Sequence, residues 1–444
     1  MGLFINGSGA AALKAYKYSG SDLSLTYKYI LSPFAQFCVD NATPKYIAPN
    51  TITATGLVLM FIAYTVMYYY SPNLTGSVQC DDTTHDNCVE TGAIPRWVYL
   101  LNGVCMLAYQ TLDNMDGKQA RRTGSSSPLG MLFDHGCDAI NSPLGSLNWC
   151  VAMGIGAATP FVCFWTLVAS AIPFYISTWE EYYTGSLVLP YINGPSEGLI
   201  LGASLSFVSF FHGPHFWHGR DFYVAFLGPG ALLHNPGTDY FCRAVAYVFD
   251  PTYAEAEFRG CCNYELLLCL AAFCALQEFF LKTVNIVHKF GLRPLLNLLP
   301  FLTLLSCSLA CGSFYPLAVR SSMRSCMLLF GVLFVDAVTA LMLAHMTAAT
   351  PAKARVVLLP LLALAAAGAA GALEDGDGDG WQKHAVTGYL AAAVTFVAFK
   401  FTVVVTEITE CLGIYCFDIS TKRVDRVEYV EGRVTRSSNG KKRA

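Results

Sequence analysis

The chain alternates long apolar stretches with short polar ones. A bilayer crossing takes about 20 apolar residues, and stretches of near that length fall at 51–70, 97–112, 139–155, 159–178, 198–212, 264–287, 296–317, 326–348, 355–373 and 384–408. The 198–212 stretch is short, and 221–234 offers a further one. The pattern predicts an all-α fold, a polytopic integral membrane protein with about ten transmembrane helices. No internal repeat is visible. Ahead of the first span, Leu23 to Phe37 alternates enough to form an amphipathic helix. Lying on the membrane surface and packing on a soluble face are both open for it.

Composition agrees with this picture. Of 444 residues, 54% are hydrophobic and 13% charged, against about 25% charged in soluble domains. A net charge of −3 gives no electrostatic footprint for nucleic acid. Met1 to Lys45 lacks a basic start followed by an apolar core, so no cleavable signal peptide is expected. The 17 cysteines show no paired zinc spacing, and most are expected to be buried and inert.

Charge also orients the spans. With the N-terminus in the cytosol, Lys118-Arg121-Arg122, His288-Lys289-Arg293, Lys353-Arg355 and the tail all fall on the cytosolic side. The acidic loops, Asp81-Asp82-Asp86 and Glu374 to Asp379, fall in the lumen; Arg320 and Arg324 are exceptions. The 71–96 loop then carries a glycosylation sequon at Asn73, and a Cys80–Cys88 disulfide is open there. The chain divides into an interfacial segment (1–50), a catalytic transmembrane core (51–285), C-terminal helices (286–410) and a charged cytosolic tail (411–444). Two other patterns are weaker. Asp375-x-Asp377-x-Asp379-Gly380 starts like a calcium loop but has Val386 at its twelfth position. His212, His215 and His218 are interleaved with aromatic residues, as in an interfacial belt.

The candidate chemistry lies in DNMDGKQARRTGSSSPLGMLFDHGCD, residues 113–138. Asp113 and Asp116 are three apart and Asp134 and Asp138 four apart, spacings that share a helix face. Arg122 to Pro128 reads as a turn, with Ser127 as N-cap and Pro128 as first helical residue. Two helices would thus aim two carboxylates each at one space. Such crowding calls for cations, and oxygen-only ligands suit Mg2+ or Mn2+. Two ions roughly 3.5–4 Å apart are the usual clamp for displacement at phosphorus. Gly117, Ala120 and Gly130 leave room for a phosphate or for close helix contact, and Arg121 and Arg122 are placed to pair with phosphate oxygens.

The run Asp113-x2-Asp116-Gly117-x2-Ala120-Arg121-x8-Gly130-x3-Asp134-x3-Asp138 resembles the signature of the CDP-alcohol phosphotransferases at every fixed position. Lys118-Gln119, Arg122 and His135 narrow the likeness to the eukaryotic choline/ethanolamine branch, with Met131 standing where that branch would carry Glu. The resemblance covers residues 45–200 well. It implies that CDP-choline or CDP-ethanolamine reacts with diacylglycerol to give phosphatidylcholine or phosphatidylethanolamine and CMP. It implies two metal ions on Asp113, Asp116, Asp134 and Asp138, an Asn50 near the nucleotide, and a homodimer through the later spans. Asn50 also reads simply as a helix cap. For the base that takes the acceptor's proton, the wider family suggests Asp138; His135, titrating near neutrality, is preferred here. The Gly-Pro-Ser-Glu-Gly setting of Glu197 resembles a stretch in relatives and places Glu197 near the head-group cation, although a helix-capping role fits as well. Lys441-Lys442 resembles a di-lysine retrieval signal, pointing to the endoplasmic reticulum or Golgi with the active site facing the cytosol; attraction to anionic membrane lipids is the simpler reading. The rivals are a relative with another acceptor, such as inositol, and a metal-binding membrane transporter.

Overall fold

The computed structural model describes residues 2–80, 88–91, 94–227, 261–352, 354–373 and 381–420. The acidic loops at 81–86 and 374–379, the second half of the 221–234 stretch and the tail from 421 lie outside the described residues.

The protein is an all-α polytopic membrane protein. In chain order the described elements begin with α1 (Gly7–Ala15), β1 (Gly20–Asp22), α2 (Ser32–Ala42) and α3 (Pro49–Tyr70). They continue with β2 (Val78–Gln79), β3 (Val89–Glu90), α4 (Arg96–Thr123), α5 (Pro128–Ala152), α6 (Pro160–Thr184), β4 (Leu187–Leu189) and α7 (Leu199–Phe211). After a short α8 (Asp221–Leu227) come α9 (Asn263–Phe290), α10 (Leu299–Phe314), α11 (Pro316–Ser321), α12 (Met323–Met346), α13 (Leu359–Ala369) and α14 (Trp381–Leu412). Among the described residues, six helical stretches are long and apolar enough to cross a membrane: α3, α6, α9, Arg293–Phe314, α12 and α14. The other four expected spans fall on α4, α5, α7 and α13. Of these, α4 and α5 carry the polar signature, and α7 and α13 are short.

Burial ranks the helices. α6 and α12 are covered along most of their length and form the axis of the bundle, whereas α9 and α14 leave most of theirs facing outward. Buried Asp336 of α12 is clamped by Nε and Nη2 of Arg355 (2.6–2.8 Å) and by Lys400 of α14 (2.7 Å), so a charge deep in the bundle is paired rather than free.

The two ends of the bundle differ. At one end the Cys80–Cys88 disulfide closes the β2–β3 hairpin, and Leu74 accepts from the Ala157 amide. Arg324, an exception to the charge rule, is buried at this end. It donates to the carbonyls of Ser71 and Pro72 at the C-terminus of α3 and lies over the Tyr64 and Tyr68 rings. A cation that caps a helix C-terminus is fixed by packing, not by topology. At the other end the N-terminal residues dock on α14: the Glu407 carboxylate accepts from the amides of Leu3, Phe4 and Ile5.

The 23–37 stretch is helical from Leu25 onward, as its pattern predicts. A turn hydrogen-bonded by Ser24 leads through a π-helical stretch, Tyr27–Leu31, into α2. Ala35 and Val39 pack against Ile52 and Met115, while Leu25, Tyr29, Phe34 and Phe37 are exposed.

Candidate active site

The α4–α5 hairpin is built from local signals. α4 ends where Gly124 adopts a left-handed conformation (φ 65°), a geometry glycine accepts without strain. α5 starts with Ser127, whose hydroxyl accepts from the Gly130 amide, and Pro128 in the first turn. The turn between them is clamped from outside. Gln119 donates to the carbonyls of Pro44 and Ile47 (3.0 and 2.9 Å), Arg122 donates to Val39 and Thr43, and Lys118 reaches the Ser32 hydroxyl (2.7 Å). Arg122 is therefore a structural clamp on the 39–47 segment, and of the two arginines Arg121 alone lines the cavity.

Asp113, Asp134 and Asp138 each offer an oxygen, and these atoms lie within 4.8 Å of one another. Asp116 lies beside Asp134 and is held on its other side by the Thr53 hydroxyl of α3. The Tyr109 hydroxyl donates to Asp138. One buried oxygen each of Asp113 and Asp134 has no hydrogen-bond partner. Buried acceptors without partners carry a desolvation cost of about 1–3 kcal/mol, more when charged, and a hard cation relieves it. The residues present fit a divalent ion: every donor is oxygen, and two acceptors wait for a positive partner.

These groups open onto a cavity of 470 Å3 whose walls come from residues 18 to 278. Gly117 lines it with nothing but the Arg121 side chain near the place a β-carbon would take, so its small size leaves room in the cavity rather than for a neighbouring helix. His135 also lines it, with the Tyr18 ring edge-on at 5.9 Å. Burial, then the neighbouring Glu181 and Asp134 carboxylates, push the Tyr18 phenol up, so it stays protonated as a donor.

Other expected residues sit differently. Asn50 is not the cap of α3; Ala48 is, and Asn50 lies in the first turn. Its amide donates to the Cys416 carbonyl (2.9 Å), which ties α3 to the segment after α14, and its oxygen sits near Gly130. Neither Asn50 nor Gly130 lines the cavity. Glu197 is also outside the wall. It accepts from the Ser24 hydroxyl and from the Asn193 amide (3.0 Å), which fits its turn-capping reading. Sequence reading missed Tyr109, although it stands one helical turn before Asp113 on the same face. It also missed Thr53, Tyr18 and Asp22, which reach the site only through tertiary contact and leave no local signal.

The family model for CDP-alcohol phosphatidyltransferase matches residues 46–185, the stretch that carries all four aspartates. The chain is 34% identical over 432 residues to choline/ethanolaminephosphotransferase 1 of Arabidopsis thaliana, covering 94% of this chain and 99% of that one. It is 32% identical over 430 residues to that plant's choline/ethanolaminephosphotransferase 2, with the same coverage. It is also 39% identical over 220 residues to choline/ethanolaminephosphotransferase 1 of Saccharomyces cerevisiae, covering half of each chain. The likeness extends over the later helices as well as the aspartate hairpin, and the chain belongs to the CDP-alcohol phosphatidyltransferase family, among its choline/ethanolamine phosphotransferases.

Proposed function

We propose that this protein transfers phosphocholine or phosphoethanolamine from the CDP-alcohol to the hydroxyl of diacylglycerol, releasing CMP. The observation that carries the reading is the convergence of Asp113, Asp134 and Asp138, with two unpartnered buried oxygens, on the wall of a cavity large enough for a substrate.

Asp113, Asp116, Asp134 and Asp138 would hold the metal, Mg2+ or Mn2+ and two ions in our reading. When bound, the metal neutralises the diphosphate and makes CMP a better leaving group. Tyr109 and Thr53 fix the carboxylates of Asp138 and Asp116 through their hydroxyls. Arg121 stands at the cavity wall, where its guanidinium can pair with a phosphate oxygen. A His135 ring nitrogen takes the proton of the attacking hydroxyl as its oxygen bonds to the phosphorus bearing the head group and the bond to CMP breaks. Asp138 is a poorer base, because it is already engaged by Tyr109 and belongs to the converging carboxylates.

The cavity draws its walls from Tyr18 to Glu278, which supports a catalytic core over 51–285 with the N-terminal segment added to it. The charge of the connecting segments supports a cytosolic active site. Residence in the endoplasmic reticulum or Golgi and a homodimer through the later helices remain what the resemblance implies. The test is purified protein in lipid, given CDP-choline and CDP-ethanolamine in parallel with diacylglycerol and Mg2+ or Mn2+. We expect CMP and phospholipid in equal amounts. CMP without lipid product, or no CMP with either donor, overturns the reading.

A further inference from the structure

We propose that Asp22, on the strand β1, is the anionic pole that receives the ammonium of the head group, and that Tyr27 supplies an aromatic face beside it. The inference rests on the phosphotransfer reading above.

β1 pairs in parallel with β4, Asp22 opposite Leu189, and this two-stranded wall closes one side of the cavity. The Asp22 carboxylate is held by three donors. Its Oδ1 accepts from the Ser24 amide (2.8 Å) and from Asn193 Nδ2 (2.9 Å), and its Oδ2 accepts from the Ser196 hydroxyl (2.9 Å). All three donors are neutral. Among the described residues no lysine, arginine or histidine pairs with Asp22, so its charge is oriented but not neutralised. A carboxylate has about four acceptor positions, which leaves one free.

The same wall carries a second excess of negative charge. Lys282 of α9 donates to the Val188 carbonyl of β4 (3.0 Å) and pairs with both Glu180 (3.1 Å) and Glu278 (3.2 Å), and Glu278 lines the cavity. One lysine thus serves two carboxylates, and Asp22 adds a third negative charge across the strand pair. Tyr18 and Tyr27 line the cavity beside Asp22, Tyr27 held in the same turn by its backbone N–H, which donates to the Ser24 hydroxyl. Aromatic faces next to an unpaired carboxylate suit an ammonium ion. Glu197 supports this wall from behind through Ser24 and Asn193, and acts as a positioning residue.

The experiment compares two donors: CDP-choline and its neutral carbon isostere, CDP-3,3-dimethylbutanol, in which carbon replaces the ammonium nitrogen. The readout is the ratio of their kcat/KM values. Wild type should favour the cationic donor, and Asp22→Asn should lower the ratio about tenfold or more, mainly through KM for CDP-choline. Ser196→Ala, which removes one orienting bond and no charge, should lower it by a smaller factor. Tyr27→Leu should lower it, and Tyr27→Phe should keep it, which decides the matter independently should Asp22→Asn fail to fold. A ratio within twofold of wild type in Asp22→Asn, or in Tyr27→Leu should Asp22→Asn fail to fold, overturns the proposal, as does a wild type indifferent to the charge. A wild type that turns over neither donor overturns the phosphotransfer reading instead.

Discussion

Replacing Asp134 by asparagine should change stability in opposite directions with and without metal. The three facing carboxylate oxygens lie within 4.8 Å, and at an effective dielectric of 20 each like-charge pair at that distance costs about 3.5 kcal/mol. Asp134→Asn removes two such pairs from this trio, about 7 kcal/mol before any relaxation. Side-chain relaxation and water absorb most of that, and the new amide can donate to Asp116, which lies beside it. We expect a net gain on the order of 1–3 kcal/mol in excess EDTA. With Mn2+ or Mg2+ the order reverses. Wild type gains about 2.7 kcal/mol at a hundredfold excess over Kd, while the variant, short of a ligand, gains far less. The assay is thermal unfolding of the detergent-solubilised protein across a metal titration, four curves in all. A wild type whose Tm ignores both EDTA and divalent ions would refute the reasoning, as would a variant that is less stable than wild type in EDTA.

Three further outcomes follow from the geometry. His135→Ala should lower turnover at least 100-fold, the lower bound for a lost general base, while CDP-choline still binds, as read by calorimetry; surviving turnover removes His135 from the base role. Arg121→Ala and Arg122→Ala should separate: the first raises KM for the CDP-alcohol at near-native Tm, and the second lowers Tm because the Val39 and Thr43 carbonyls lose their donor. Thiol blocking followed by mass spectrometry of the unreduced protein should find Cys80 and Cys88 unmodified and linked, and modification of both would contradict the closed β2–β3 hairpin.

The parts legible in the sequence are those with local causes. The α4–α5 hairpin follows from two aspartate pairs at helical spacing, a glycine to end one helix and Ser127-Pro128 to start the next. Span positions follow from apolar length, which is why α3, α6, α9, α12 and α14 fall where expected. What the sequence concealed depends on distant segments meeting. Asp22 and Leu189 are joined by a short parallel strand pair that no periodicity announces. Asn50 looks like a cap because its residue type favours that position, but Ala48-Pro49 starts the helix and frees Asn50 to bind the Cys416 carbonyl. Arg121 and Arg122 are adjacent in sequence yet point to different tasks, since successive residues of a helix do not share a face. Glu197 and Asp22 show the same limit: both carboxylates hold the 193–198 turn to the 22–24 turn, and only the three-dimensional wall distinguishes the one that faces the cavity.

Catalysis in this protein would require divalent cations held between α4 and α5 against the diphosphate. The most direct measurement is an anomalous difference map, recorded at the manganese edge, from crystals of the protein with Mn2+ and a CDP-alcohol. The account predicts density bounded by Asp113, Asp116, Asp134 and Asp138 and in contact with the diphosphate. Manganese located elsewhere, with those four carboxylates making no contact to it, would contradict the account.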